Sequence, residues 1–194
     1  MPDFEDLKEA LKPAAAILRG TEVPFLLGGG LACWARGGPE SEHDLDFMVK
    51  PEDADQALQA FAKAGLETER PPENWLYKAW LDGVLVDLIF NPKGGPVDDA
   101  MFARAEELEV NALPMLVLSL EDVMTTKLMA MREHEVDYDS VIEIARSLRE
   151  QIDWEAVWER TCESPYARAF FYLASELDIL GMPTAAGGTA HAST

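Results

Sequence analysis

The stretch that decides the fold runs from Leu27 to Val49 and reads LGGGLACWARGGPESEHDLDFMV. It begins with three glycines after a short apolar run and ends on Asp44 and Asp46, which are separated by one residue. In a strand, residues at i and i+2 point to the same face, so these two carboxylates lie side by side. Aspartate is unfavourable in strands and adjacent carboxylates repel each other, so the pair predicts a divalent cation.

A third acid supports a metal site, because the Asp-x-Asp spacing alone also fits a solvated strand face or a turn cluster. Asp87 interrupts the apolar run from Gly83 to Phe90, GVLVDLIF, which is typical of an interior strand. If that strand pairs with the one carrying Asp44 and Asp46, three carboxylates meet and hold one or two ions. Oxygen ligands favour Mg²⁺ or Mn²⁺ over Zn²⁺. His43 stays outside this ligand set, since a lone histidine at a strand start more often forms hydrogen bonds or is exposed.

The glycines lie between a predicted strand, Val23 to Leu27, and a predicted helix, Leu31 to Arg36. Gly29 and Gly30 allow positive φ and close approach, so backbone amides at the helix start are predicted to bind phosphate groups of a nucleotide. A tight turn with close helix packing is the alternative explanation. Neither a Walker motif nor a complete G-x-G-x-x-G motif is present.

Taken together, these motifs resemble the DNA polymerase β-like nucleotidyltransferase superfamily, which combines Gly-Gly or Gly-Ser, an Asp-x-Asp strand and a third acid on a later strand. The words Gly-Gly-Leu-Ala and His-Asp-Leu-Asp-Phe are similar to the small bacterial branch with aminoglycoside and lincosamide nucleotidyltransferases and AbiEii-type toxins. The resemblance implies Mg²⁺-dependent transfer of a nucleoside monophosphate from an NTP co-substrate to a hydroxyl, with pyrophosphate release. Asp44 and Asp46 would hold the metal on the triphosphate, and Asp46 and Asp87 would hold a second metal near the acceptor. Asp87 would also accept the proton of the acceptor.

The segment from Ser119 to Arg132 is similar to the helix after the catalytic domain in AbiEii-like proteins, in which a lysine recurs. This resemblance implies that Lys127 binds the nucleotide; without it, Lys127 would be interpreted as a lysine on an amphipathic helix face. Lys50, Lys78 and Lys93 are also close in sequence to the acidic strands, and the sequence does not choose among them.

Charge and composition limit the kinds of partner that the protein is expected to bind. The 194 residues carry a formal net charge of -20, which disfavours tight binding of nucleic acid and favours a cationic, hydroxylated small-molecule acceptor over tRNA. No apolar run reaches the ~20 residues needed to span a bilayer, and no signal peptide is evident. Two cysteines without metal-ligand spacing indicate reduced thiols, so we expect a cytoplasmic protein without a membrane partner, in which oligomers are possible.

Two other functions remain open at this stage. An AbiEii-like toxin would modify tRNA ends, and a catalytically silent module would bind an NTP or act as an antitoxin. The charge favours a small acceptor, as in antibiotic-resistance enzymes, whereas the helical segment resembles the toxins. Intact Asp44, Asp46 and Asp87 argue against a silent module.

The hydrophobic pattern predicts an α+β fold with a mixed sheet, packed helices and a C-terminal helical segment. We expect a catalytic domain over residues 1–118, a helical segment over residues 119–180 and a disordered tail over residues 181–194. Strands are expected near residues 75–81, 83–90 and 113–118, with Asp82-Gly83 as a hairpin turn. The span from Val97 to Leu108 is expected to be helical.

Overall fold

The computed structural model describes residues 2–40 and 44–183. Within these ranges the helices are α1 Phe4–Arg19, α2 Gly29–Trp34, α3 Ala54–Lys63, α4 Asp99–Arg104, α5 Leu120–Ala130, α6 Tyr138–Leu148, α7 Trp154–Thr161 and α8 Pro165–Glu176, with a 3-10 turn at Arg149–Gln151. The strands are β1 Phe25–Leu27, β2 Asp44–Val49, β3 Glu67–Glu69, β4 Leu76–Leu81, β5 Val84–Ile89, β6 Glu106–Val110 and β7 Leu113–Val117.

The strands that the structure describes form one mixed sheet in the order β3-β4-β5-β2-β1-β7-β6. β2 runs parallel to β5 and β1 runs parallel to β7, whereas the other neighbours are antiparallel. This arrangement confirms the predicted α+β class. The acidic strand β2 and the apolar strand β5 are direct neighbours near the middle of the sheet, which places their aspartates together.

Helices pack on the sheet in two groups. α1 and α3 contact each other and strand β5; α1 also contacts β2, and α3 also contacts β3 and β4. α2 contacts β2 and the C-terminal helix α5. Side chains that alternate with the β2 aspartates, Leu45 and Phe47, are fully buried. The aspartates therefore point to the other face, as the period of two in a strand requires. That face holds the candidate site.

Two hairpins shape the sheet. Asp82 and Gly83 have φ values of 51° and 87°, so they form the expected turn between β4 and β5. Asn111 and Ala112, with φ values of 50° and 59°, form a second turn between β6 and β7. The helix expected from Val97 to Leu108 is therefore wrong beyond Arg104. The acidic sequence of β6 suits a helix locally, but pairing with β7 overrides that preference.

Beyond the sheet, α5 to α8 form the expected C-terminal helical segment. One continuous buried cluster includes residues of the sheet, such as Val117, and residues of these helices, such as Phe170. The domain division at residue 118 stays a prediction. The predicted tail begins with three described residues, and its remainder, residues 184–194, lies outside the described residues. Every helix among the described residues is too short or too polar for a transmembrane span.

Candidate active site

Strand register brings the acidic side chains into one row. Asp46 on β2 is the direct partner of Asp87 on β5, and Asp87 is in turn the partner of Lys78 on β4. Directly paired residues point to the same face, so these three side chains are neighbours. Asp44 lies two residues before Asp46 and shares that face. The structure thus brings together the three acids that the sequence singled out.

The carboxylates form a compact cluster. Asp44, Asp46 and Asp87 each offer one oxygen, and these oxygens lie within 4.8 Å of one another. Asp87 is 6% exposed, and its Oδ1 atom is buried without a hydrogen-bond partner among the described residues. A buried carboxylate oxygen without a partner is costly unless a ligand completes it. The spacing and the oxygen donors of the cluster match those that hard divalent cations prefer.

The ionised cluster is electrostatically unfavourable without a cation. Burial, followed by the charges of Asp44 and Asp87, raises the pKa of Asp46 well above its usual range. Burial also raises the pKa of Asp87 to about 6; the nearby Lys78 opposes this shift and Asp44 adds to it. A bound divalent ion would favour the ionised forms of all three acids.

The glycine turn leaves room for one of these carboxylates. The Gly28 amide donates a 2.8 Å hydrogen bond to the backbone oxygen of Asp46. Gly29 has a φ of +54°, and a Cβ at this position would overlap the Oδ2 atom of Asp46. Only glycine meets both conditions without strain. Gly29 and Gly30 are the first two residues of α2, which is six residues long, so close approach rather than a long helix dipole distinguishes this turn.

Lys127 approaches the cluster from α5. Its positive charge lowers the pKa of Asp46, against the larger effects of burial and of the other carboxylates. The Lys127 ammonium also donates a 3.4 Å hydrogen bond to Ser140 of α6. Lys127 lines a cavity of about 460 Å³ between α5, α6 and the loop that joins them. The lysine therefore lies between the carboxylates and a cavity on the helical segment.

The structure also separates the lysines among which the sequence could not choose. Lys78 lies next to the cluster, with its Nζ atom 3.6 Å from Asp87 Oδ1. Lys50 pairs with Asp99, and Lys93 is exposed in the loop after β5. Arg36 donates to the Ala32 carbonyl at 3.0 Å, which is a helix-terminal contact. His43 lies outside the described residues.

Comparison with known proteins identifies the family. A family model described as an uncharacterised nucleotidyltransferase matches residues 28–177, which include the glycine turn, the three aspartates and most of the helical segment. The chain belongs to this family of nucleotidyltransferases. The resemblance that the motifs suggested is confirmed. A search of curated proteins gives no significant match.

Solved structures with the same fold include two of the antibiotic-resistance factor ANT(2'')-Ia. The protein in its solution structure is 17% identical in sequence to this chain, with a TM-score of 0.62. The match covers 88% of this chain and 95% of that chain. Its crystal structure with adenylyl-2''-tobramycin has 13% identity and a TM-score of 0.61, covering 84% of this chain and 98% of that chain. At these identities the likeness shows the fold.

A third similar structure is the lincosamide antibiotic adenylyltransferase LnuA with bound lincomycin. It has 14% identity and a TM-score of 0.51, and the match covers 70% of this chain and 92% of that chain. The nucleotidyltransferase therefore shares its fold over most of its length with adenylyltransferases of small antibiotics.

Sequence reasoning missed a second buried aspartate in the nucleotidyltransferase. Asp122 in α5 is 1% exposed and accepts hydrogen bonds from Arg104 to both oxygens, each at 2.9 Å. Arg160 of α7 donates at 2.6 Å, and the Ser119 hydroxyl donates at 2.8 Å. Ser119 also caps α5, because its hydroxyl accepts a 3.2 Å hydrogen bond from the Asp122 amide. The two arginines lie 18 and 38 residues from Asp122, so no local pattern reveals them.

Proposed function

We propose that this nucleotidyltransferase moves a nucleoside monophosphate from an NTP to a hydroxyl of a small molecule and releases pyrophosphate in a divalent-metal-dependent reaction. The observation that carries the proposal is the cluster of Asp44, Asp46 and Asp87, with ligand oxygens within 4.8 Å. Family membership supports the reaction class, and the residue roles and the acceptor are part of the proposal.

The donors fit Mg²⁺ or Mn²⁺. All three side chains of the cluster are carboxylates, and oxygen donors of this kind suit these ions. Such an ion, when bound, neutralises charge on the triphosphate and on the leaving pyrophosphate. Asp44 and Asp46 are proposed to hold it against the triphosphate.

The other residues position the reactants. Gly29 and Gly30 allow the triphosphate to approach the backbone beside Asp46, and Lys127 supplies a positive charge to the phosphates from the side of α5. Asp87 accepts the proton of the acceptor hydroxyl. Its pKa of about 6 in the metal-free protein, and any lower value beside a bound cation, leave the carboxylate ionised near neutral pH, as a general base requires. The hydroxyl oxygen then forms a bond to the α-phosphorus as the bond to pyrophosphate breaks.

The sheet face beside the cluster suits a cationic, hydroxylated acceptor. In strand register, the row next to Asp46 and Asp87 consists of Asp44, Leu85, Trp80 and Glu67. Trp80 and Leu85 are half-buried, and neither is among the described side chains that form or pack against the core. An indole next to carboxylates can contact the apolar face of a sugar ring while acids bind its amines.

The net charge of -20 and the solved complexes of similar fold support the same choice of acceptor. An acidic surface attracts cationic small molecules and repels a polyanion such as tRNA. The cysteines Cys33 and Cys162 are free, which agrees with the proposed cytoplasmic location.

The proposal is tested by incubating the protein with each α-³²P-labelled NTP and Mg²⁺ against bulk tRNA, proteins and a small-molecule extract that contains aminoglycosides. We expect label in the small-molecule fraction, and its loss with EDTA. Label in tRNA would support an AbiEii-like activity instead. No label in any fraction, together with no NTP binding in calorimetry, would contradict the enzyme activity altogether.

A further inference from the structure

Lys78 occupies an unusual position for a lysine on this sheet. It is the register partner of Asp87 in the antiparallel pair of β4 and β5, while Asp46 is the partner of Asp87 on the other side. An ammonium and two carboxylates therefore follow one another across three neighbouring strands. The Lys78 side chain is 29% exposed, so it is accessible to a bound molecule, whereas the Asp87 side chain is 9% exposed.

The distance between the two groups leaves the Lys78 ammonium able to donate to a third oxygen. The Nζ atom of Lys78 is 3.6 Å from Asp87 Oδ1, which is longer than a hydrogen bond. Oδ1 consequently keeps its lone pairs, and it has no hydrogen-bond partner among the described residues. Because Oδ1 itself is buried, a bound hydroxyl would donate to the small exposed part of this carboxylate, and at ~2.7 Å from it the hydroxyl would also come within reach of the Lys78 ammonium, whose side chain is 29% exposed. The acceptor oxygen and Lys78 would then be in direct contact.

The same geometry disfavours a second metal ion at Asp87. In a two-metal site the ions lie ~3.5–4 Å apart, and the second ion would share Asp46 and Asp87. That ion would bind an acid whose oxygen already lies 3.6 Å from the ammonium of Lys78. Repulsion between the two cations is strong at such a distance in a partly buried site. The ammonium already supplies the positive charge on this side.

We infer that Lys78 is a catalytic residue that takes the place of the acceptor-side metal ion, so that the reaction needs one divalent ion, held by Asp44 and Asp46. This inference rests on the proposed function. As the acceptor hydroxyl gives its proton to Asp87, the ammonium of Lys78 donates a hydrogen bond to the oxygen that becomes negative. The new oxygen–phosphorus bond forms, and the pyrophosphate leaves with the electron pair of the broken bond.

The number of bound metal ions tests this role without relying on turnover. Mn²⁺ binding to the full chain would be followed by electron paramagnetic resonance in the presence of α,β-methylene-ATP, whose bridging carbon blocks transfer. We expect one tightly bound Mn²⁺ per chain. In Lys78→Met, a second Mn²⁺ should bind more tightly by about tenfold or more, because a cation close to its site has been removed.

Two variants control the experiment. Lys78→Arg keeps the positive charge and should retain the one-ion behaviour of the wild type. Lys50→Met removes a lysine that pairs with an aspartate outside this face, and it should leave Mn²⁺ binding unchanged. Two Mn²⁺ ions of similar affinity in the wild type, unaffected by Lys78→Met, would overturn the inference and leave the proposed function intact. A complete lack of nucleotide-dependent Mn²⁺ binding would contradict both.

Discussion

Asp122 and the cluster of Asp44, Asp46 and Asp87 have opposite electrostatic characters in this nucleotidyltransferase. Asp122 is surrounded by donors, and although burial opposes it, hydrogen bonds from Arg104, Ser119 and Arg160 lower its pKa. Burial and neighbouring carboxylates instead raise the pKa values of Asp46 and Asp87. The fold satisfies the first group internally and leaves the second group incomplete. The acidic cluster in which pKa values are raised, and which lies beside an accessible face, is the candidate active site. The Asp122 cluster, which has its donors within the fold, is structural.

The Asp122 cluster connects parts of the chain that are distant in sequence. Asp122 in α5 links Arg104 at the end of α4 to Arg160 in α7. Glu121, the preceding residue, accepts a 2.9 Å hydrogen bond from the Asp153 amide at the start of α7. These contacts hold the helical segment against the sheet, and α5 also carries Lys127. The Asp122 cluster therefore helps to position α5, and with it Lys127, at the candidate active site.

The largest expected effect comes from the incomplete cluster. Asp46→Asn should lower the rate of nucleotidyl transfer by at least ~10²–10³-fold, because charge stabilisation at the reacting phosphate is lost. The free energy of unfolding should stay equal or rise, since one of three repelling carboxylates is removed. Rates measured with labelled NTP and chemical denaturation test both parts.

Asp82→Asn is the matched control, because it makes the same exchange in the exposed hairpin turn between β4 and β5. It should change neither the rate nor the stability. Near-normal turnover of Asp46→Asn would show that the Asp46 carboxylate does not take part in nucleotidyl transfer.

The completed cluster should respond in the opposite way. Asp122→Asn removes the charge that Arg104 and Arg160 share and should lower the free energy of unfolding by ~1–3 kcal/mol, since the two arginines are partly exposed and Asn keeps one acceptor oxygen. Mn²⁺ binding by the folded fraction should remain. Urea denaturation gives the first quantity and metal titration the second. Glu121→Gln, which changes the neighbouring acid, should cost much less; equal costs would show that the Asp122 cluster is not special.

The pH dependence of the free energy of unfolding should differ between Asp87 and Asp122. Because the pKa of Asp87 in the folded protein, about 6, lies above the ordinary value of 3.8, the folded state binds the extra proton between these values. Metal-free protein should therefore gain ~1–3 kcal/mol of stability as the pH falls from about 7 to about 5. Asp122 has a lowered pKa, so its contribution persists in this range and is lost only at more acidic pH.

Denaturation in EDTA across this pH range measures the gain. Asp87→Asn should reduce it, whereas Asp99→Asn, which alters an exposed aspartate, should preserve it. A wild-type stability that falls steadily from neutral pH to pH 5 would show that the cluster is not under electrostatic strain.

The smallest expected effect concerns the face beside the incomplete cluster. Trp80→Ala should raise the KM for the small-molecule acceptor that takes up label by about tenfold, because one aromatic contact is lost, with little change in kcat. Steady-state kinetics with this acceptor and with the NTP resolve the effect. Trp75→Ala removes an indole that is 39% exposed and precedes β4, so it serves as the control. A raised KM for the NTP instead would assign Trp80 to the nucleotide.

Much of the fold could be predicted because local patterns and tertiary pairing agree. The hairpin at Asp82-Gly83 has turn residues that favour positive φ. The apolar run of β5 predicts an interior strand, and β5 pairs with β2 inside the sheet. β6 could not be predicted, because its acidic residues show no strand periodicity and its pairing depends on β7. β3 is three residues long, which is too short for a periodic pattern.

For the site, sequence spacing predicts which acids share a face but not which lysine joins them. Lys78 reaches Asp87 through the register of β4 and β5, which spacing alone does not fix. The arginine partners of Asp122 come from two separate helices. The reason for Gly29 also appears only in three dimensions, where the Asp46 carboxylate occupies the position of a Cβ.

A crystal structure with Mn²⁺ and α,β-methylene-ATP, measured with anomalous diffraction, would locate the proposed metal ion directly. We predict an anomalous peak within coordination distance of Asp44 and Asp46, next to the triphosphate of the bound nucleotide. A Mn²⁺ peak elsewhere on the protein, with nucleotide bound away from these aspartates, would contradict the account.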